Sequence, residues 1–244
     1  MPQFIDLNQL KDSPLPIYIG YDPVEPVAWH ACVSSIIEKS SIPVSFIPLN
    51  LSNIRGIFNR ERDEKQSNSF SFSRFLVPYL TNFSGPAIYM DCDMLVTVDI
   101  AQIFEEIADQ ADKAIYVVKH DYNVEYQEKY LGTKQYPYPR KNWSSFVLWN
   151  CAHQAHQRLQ PNYIEKASGL ELHRFKWLAD GEIGDLSHEW NWLVGHYDDP
   201  ERAKNIHWTL GGPYFESYRD AEHASLWLEQ YKKMTFCEDK RKDL

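Results

Sequence analysis

The feature that most limits how this chain can fold is its opening alternation of strand, helix and strand. Ile17-Tyr18-Ile19-Gly20-Tyr21-Asp22 reads as a strand running out into a loop, and Val44 to Pro48 reads as a second strand. Between them Pro26 suits the first turn of a helix continuing to about Glu38, because the first N–H groups of a helix have no internal partner and proline lacks one. Ala28, Ala31, Cys32, Ser35 and Ile36 supply its close-packing face. Strand, helix and strand within about 30 residues open a parallel βαβ unit, and so an α/β domain.

A second constraint lies at residues 86–99, Pro-Ala-Ile-Tyr-Met-Asp-Cys-Asp-Met-Leu-Val-Thr-Val-Asp. The apolar run Ala87 to Met90 reads as a buried strand that ends on Asp91 and Asp93. In an extended backbone, side chains two apart point to one face, so both carboxylates would converge while Cys92 turns away. Two anions that close repel and raise one another's pKa unless a cation sits between them. The mouth of an α/β sheet is also where such folds bind ligands. The plainer reading is a strand ending in an Asx turn with both acids solvated.

The remaining stretches add candidates, each with a plain alternative. Asp22, at the first strand's tip, either accepts from a base or ribose or caps the helix near Pro26. Residues 60–72 are charged and then Ser-rich, which suits a surface loop. Ser73 to Leu80 reads as a helix in which Arg74 is either a phosphate or sugar contact or a solvated side chain. Ile100 to Gln110 reads as a helix with Ile103, Phe104 and Ile107 on one face, and Ala114 to Val118 as a buried strand ending at Lys119-His120-Asp121. Residues 122–143 are rich in Tyr and Pro without a period, a lid or acceptor loop in which Tyr126, Tyr136 and Trp143 could stack on a sugar. Ser145 to Trp149 is a further strand, Cys151 to Leu159 a helix, and Ser217 to Tyr231 a last helix with Ala221, Ala224, Leu228 and Tyr231 on its stripe. His207, followed by Gly211-Gly212, offers one imidazole ligand and a turn whose N–H groups could face an anion.

Composition sets the class of partner. The 244 residues carry a net charge of −9, which excludes the basic face of a general nucleic-acid binder. An anionic ligand would need a metal, local Arg or Lys, or backbone amides. Cys32, Cys92, Cys151 and Cys237 show no paired metal-ligand spacing. The first residues do not read as a signal peptide and no apolar run is long enough to span a bilayer, so the expectation is a cytoplasmic enzyme without an integral membrane segment.

In order along the chain, these motifs resemble the retaining GT-A glycosyltransferases of the glycogenin and lipopolysaccharide-galactosyltransferase type, family 8 of the sugar transferases. The motifs are the strand ending at Asp22, Ser-Arg-Phe-Leu at 73–76, Tyr-Met-Asp-Cys-Asp-Met-Leu-Val at 89–96 and Ser-Ser-Phe-Val-Leu-Trp-Asn at 144–150. Asp180, Trp190-Asn191 and the His207 to Pro213 loop complete the set. The resemblance implies a Rossmann-like GT-A domain over 1–244, its mostly parallel central sheet flanked by helices. A nucleotide-binding half at about 15–120 and an acceptor or sugar half at about 121–235 would share it. It implies Asp91, Asp93 and His207 as ligands of Mn²⁺ (or Mg²⁺), and Gly20, Tyr21 and Asp22 at the nucleoside pocket. Arg74, Cys92, Ser144, Ser145, Gly211 and Gly212 would line the donor, and Asp180, with Asp93 and Arg74, would serve catalysis. The implied partners are a nucleotide-sugar donor, expected to be a UDP-sugar, and a saccharide, lipid-linked or protein hydroxyl acceptor, with no nucleic acid. Three departures stand out: Trp143-Ser144-Ser145 replaces the family's Asn-Ala-Gly, Gly212 its Lys, and Gly181 its Gln.

Two rivals share parts of the pattern. A haloacid-dehalogenase-like phosphatase also places a nucleophilic Asp in a strand-end Asp-X-Asp, but there Gly and Thr follow where Met94 and Leu95 stand here. A catalytically inactive sugar-binding domain would keep the fold without turnover.

Overall fold

The computed structural model describes residues 13–60, 68–110, 112–121, 139–198 and 200–236. β1 (Leu15–Gly20), the helix Pro26–Lys39 and β2 (Val44–Leu49) form the expected unit, with the two strands parallel. The helix buries Ala28, Ala31, Cys32, Ser35 and Ile36, the face that its spacing predicts. On its other side β1 pairs in parallel with β3 (Pro86–Met90), the strand that leads to the acid pair.

The main sheet has six strands in the order β2-β1-β3-β6-β5-β7. β5 is Ile115–Val118, β6 Phe146–Asn150 and β7 Ile183–Leu186. β6 runs antiparallel to β3 and to β5, and β5 and β7 are parallel. β3, β5 and β6 are buried at every position, which is why they read as continuous apolar runs rather than alternating ones. A second sheet joins β4 (Met94–Val96), β9 (Asn205–His207) and β8 (Trp192–Leu193) in the order β4-β9-β8. The helix Pro26–Lys39 serves both layers. Ala28, Cys32 and Ile36 pack in the main core, while Ala31 joins Leu95, Trp192, Ile206, Trp208 and Trp227 in a smaller one. The result is one α/β domain with a mostly parallel central sheet flanked by helices.

Several shorter elements differ from expectation. Ser73 to Leu80 is a 3₁₀ turn, Ser73–Leu76, followed by a single α turn, Val77–Leu80. Ile100 to Gln110 is helical only over Gln102–Glu106, with a 3₁₀ turn at Ala108–Gln110, though Ile103, Phe104 and Ile107 are buried as expected. Cys151 to Leu159 contains a 3₁₀ helix, Gln154–Arg158. The last helix begins at Ala224, after His223 in a left-handed conformation (φ 62°), and runs to Thr235. It buries Ala224, Trp227 and Gln230, while Leu228 and Tyr231 are exposed. Trp227, packed in the smaller core against Tyr214, lies on the buried stripe in place of Leu228. Of the expected loop at 122–143, residues 122–138 lie outside the described residues, as does Cys237. Among the described residues, no helix is long and apolar enough to cross a membrane.

Topology gathers chemistry at one edge of the main sheet. β1 and β3 are parallel, so Asp22 and Asp91 leave the sheet side by side. β6 enters where β3 exits, with Phe146 opposite Met90, which brings Ser144 and Ser145 to the same rim. β5 ends there too, and His120 follows it. Ligands of open α/β sheets bind at such an edge.

Candidate metal and donor site

Asp91 and Asp93 do not converge by strand alternation. β3 stops at Met90, and the chain bends at Cys92 and Asp93 before β4 begins. What brings His207 to them is the second sheet: Met94 lies opposite His207, and the Trp208 N–H donates to the Asp93 carbonyl at 3.0 Å. Ligand atoms of Asp91, Asp93 and His207 all lie within 4.8 Å of one another. Among the described residues it is the one such acid and imidazole group.

Two of the three candidate ligands, Asp91 and His207, are fixed from behind. Asp91 is buried against Arg74, whose Nη2 stands 3.0 Å from its Oδ1, and the Tyr89 hydroxyl donates to the same oxygen at 2.5 Å. Arg74 Nη1 donates to the Ser144 carbonyl at 2.9 Å, and its guanidinium lies 4.9 Å from the Tyr89 ring centre. The plainer alternative, a solvated Arg74, is excluded: the side chain is buried as the counter-ion of Asp91. Burial pushes the Asp91 carboxyl up; Arg74 opposes this and Asp93 adds to it.

The tautomer of His207 follows from its neighbours. Asn191 donates through Nδ2 to the Asn142 carbonyl at 3.2 Å and to Ser145 Oγ at 2.9 Å. Its Oδ1 is thus the atom facing His207 Nδ1, at 2.8 Å, and Nδ1 must carry the hydrogen. The ring then presents Nε2 toward Asp93 Oδ1 at 3.3 Å. Two lone pairs at that separation need a positive charge between them, a proton or a metal ion. A donor set of two carboxylates and one imidazole, its second nitrogen held by an amide, could hold a divalent metal ion.

With the geometry in hand, the chain can be set beside known proteins. No protein-family model matches it. It is 44% identical over 233 residues to Protein CDI of Arabidopsis thaliana, covering 91% of this chain and 89% of that protein. The chain belongs to the Protein CDI family. Among solved structures, this CDI-family chain superposes on the glycosyltransferase GlyE of Streptococcus pneumoniae TIGR4 with a TM-score of 0.61 at 13% identity, over 90% of its own length. It matches WbbM, a bifunctional glycosyltransferase, at 0.59 and 14% identity, again over 90% of its length. The galactosyltransferase LgtC, solved with donor and acceptor sugar analogues, gives 0.56 at 14% identity. The chain spans 60% of GlyE and 50% of WbbM, but 98% of LgtC and 92% of itself in that match. These likenesses show the GT-A fold.

The other expected residues of the CDI-family chain divide into braces and outliers. Asp22 accepts from the Val24 N–H at 3.1 Å and the Ser69 N–H at 3.0 Å, so it pins the loop after residue 67 to the tip of β1. It does not cap the helix; Glu25 holds that position. Tyr21 is half-buried beside Trp29. At Gly20 a Cβ would meet the Phe70 ring at 2.4 Å, which is the packing reason for glycine there. Ser145 holds Asn191, and Ser144 Oγ lies 2.7 Å from His173 Nδ1, so both hydroxyls serve the protein's own frame. Gly211 has φ 142°, and at Gly212 a Cβ would meet the Tyr214 ring at 2.3 Å. A side chain at 212 is excluded unless Tyr214 moves. Cys92 is buried, its thiol 3.6 Å from Glu25 Oε1. Trp149, Trp177, Trp190, Trp192, Trp208 and Trp227 are core, which leaves half-buried Trp143 as the described remnant of the expected stacking cleft.

Asp180 stands apart from the network around Arg74. Its side chain is 86% exposed, and Arg140 pairs with it. Gly181 beside it has open space around its Cβ position. Sequence reasoning missed Glu25 and undervalued His120. Glu25 is buried, accepts from the Tyr214 hydroxyl at 2.8 Å, and is pushed up to about 8, first by burial and then by Asp93. His120 is buried with Nδ1 2.6 Å from the Tyr197 hydroxyl, and burial followed by the neighbouring His207 holds it down to about 3. A Glu before a helix-opening Pro and a His after a strand carried no signal that distinguished them from surface residues.

Proposed function

We propose that this chain is a metal-dependent glycosyltransferase that moves a sugar from a nucleotide diphosphate sugar, a UDP-sugar, to a hydroxyl acceptor with retention of anomeric configuration. The observation that carries the reading is the meeting of Asp91, Asp93 and His207 at the rim of a GT-A sheet. Those three residues would hold Mn²⁺ (or Mg²⁺). When bound, the ion supplies Lewis-acid stabilisation for the charge of a departing diphosphate. Arg74 keeps Asp91 in place and adds one positive charge to the rim. Asp180 would orient the transferred sugar once released from Arg140, and the acceptor hydroxyl would pass its proton to the departing phosphate. Residues 15–120 would carry most of the donor site and 121–235 the sugar and acceptor side, with His207 reaching back to the ion. The acceptor would be a saccharide, a lipid-linked sugar or a protein hydroxyl, met in the cytoplasm.

The GT-A fold does not favour the phosphatase, in which Asp91 would be the nucleophile. The likeness to glycosyltransferases does not favour a sugar-binding domain without turnover either. A thermal-shift panel of nucleotide sugars with and without Mn²⁺ tests the proposal, because a ligand that binds only the native state raises the melting temperature. The expected result is a Mn²⁺-dependent rise with one nucleotide sugar, followed by slow donor hydrolysis. No rise with any donor in Mn²⁺ would overturn it, and binding without hydrolysis or transfer would favour the binding domain.

A further inference from the structure

Glu25 occupies the corner where three parts of the site meet. It stands at the N-terminal end of the helix Pro26–Lys39, is 3% exposed, and its backbone N–H donates to the Asp22 carbonyl at 3.1 Å. One carboxyl oxygen, Oε1, lies 3.6 Å from the thiol of Cys92, the residue between Asp91 and Asp93. The other, Oε2, accepts from the Tyr214 hydroxyl at 2.8 Å. Tyr214 follows the His207 loop, and its ring fills the space that a side chain at Gly212 would need. The ring is buttressed by Trp227 of the last helix at 5.4 Å.

We propose that Glu25 is a positioning residue for the cation site, tying the Asp91–Asp93 bend through Cys92 to the His207 loop through Tyr214. This rests on the reading of Asp91, Asp93 and His207 as the ligands. Those ligands come from two sheets: the acids leave β3, and the imidazole ends β9. The β4–β9 ladder holds them together on one side, and the Glu25 bridge ties them on the other. Burying a carboxyl in such a place is costly unless its oxygens are engaged. Here both oxygens face partners that belong to the two halves of the site. Groups behind a metal's own ligands set its affinity by holding those ligands at the right spacing, and losing one typically weakens binding about 10- to 100-fold.

The test is Mn²⁺ affinity measured by calorimetry on the full chain, with near-UV circular dichroism to confirm native packing. E25A is expected to weaken binding about 10- to 100-fold. Y214F, which removes only the hydroxyl, should weaken it in the same direction. E25Q, whose amide oxygen still accepts from Tyr214, should restore wild-type affinity. If E25A does not fold, Y214F and E25Q carry the test. Wild-type affinity in a natively packed E25A or Y214F overturns the proposal. So does E25Q falling as far as E25A, because the tether would then be irrelevant and only the charge would matter. D93A separates the two levels of inference: if the wild-type chain binds Mn²⁺ no better than D93A, the ligand assignment itself has failed. If D93A alone loses binding, the Glu25 bridge has failed by itself.

Discussion

Asp91 and Asp180 are both acids beside strands of the main sheet, and the fold treats them in opposite ways: Asp91 follows β3 at the rim, whereas Asp180 precedes β7, which starts beside the start of β5 at the other end. Asp91 is buried, gripped by Arg74 and Tyr89, and placed against Asp93 and His207, with which it could hold a metal ion. Asp180 opens a short 3₁₀ turn, is 86% exposed, and is engaged by Arg140, a residue with φ 64°. The cation half of the site is thus built into the packing of two sheets, and its geometry exists before any substrate arrives. Asp180 lies in a surface ion pair, and under the proposed function it would have to change partner to reach a sugar. Preorganisation of charge is what a leaving diphosphate needs most, because dipoles fixed in advance cost no reorganisation during reaction.

That contrast can be broken by mutation, and the largest effect belongs to Arg74. R74M leaves the Asp91 carboxylate buried without its counter-ion and should cost about 3–5 kcal/mol in urea melts. R140M removes the Asp180 partner at the surface and should leave the urea midpoint unchanged. Equal losses in the two variants would mean that the halves are equally built in. Next comes the ion. D93A should lower Mn²⁺ affinity by more than about 100-fold, beyond the usual cost of a supporting residue, while D180A should bind Mn²⁺ like the wild-type chain. A smaller effect falls on turnover. D180N should lower kcat by about 10-fold or more while leaving the donor dissociation constant unchanged, as for a group that acts mainly in the transition state. A rise in the donor dissociation constant with kcat intact would make Asp180 a ground-state contact.

The smallest expected effect is on stability against pH, and it also contrasts two sets of buried groups. Glu25 is raised from 4.5 to about 8 in the folded chain. A raised acid contributes stability that is fully present below its unfolded value and is lost as pH rises through about 8. Burial holds His120 and His173 to about 3 and His156 to about 4, against 6.5 when unfolded. A lowered histidine contributes stability that is present above 6.5 and lost as pH falls toward its folded value. Metal-free protein should therefore be most stable near pH 6.5, with a gentle decline toward pH 8 and a steeper one in acid. E25Q should abolish the alkaline decline and steepen the acid limb between pH 4.5 and 6.5, where the raised Glu25 offsets part of the histidine effect. Denaturant melts from pH 4.5 to 8.5 would show this, and an alkaline decline that survives E25Q would place its origin elsewhere.

Much of the layout was legible in neighbouring residues. The first strand, the helix face from Ala28 to Ile36, the apolar run before Asp91 and the acid pair are all local patterns, either continuous apolar runs or spacings of a few positions. Where several weak local signals competed, reading failed: on the last helix Trp227, packed in the smaller core, lies on the buried stripe in place of Leu228. Arg74 looked like any exposed helical arginine until β3 brought Asp91 against it. The hydroxyls of Ser145 and Ser144 brace Asn191 and His173, partners that sequence spacing does not reveal.

The sequence by itself determined the α/β class, the strand that ends in two acids, and a histidine suited to join them. Only the tertiary structure decided that His207 pairs across from Met94, that Asn191 leaves its Nε2 toward Asp93, and that Glu25 closes the corner behind them. Strand and helix periods are set by residues a few positions apart, so they are written locally. The partners of β9, and the burial of Arg74 and Glu25, depend on segments far apart in the chain. Their free energy is realised only when both sheets have packed.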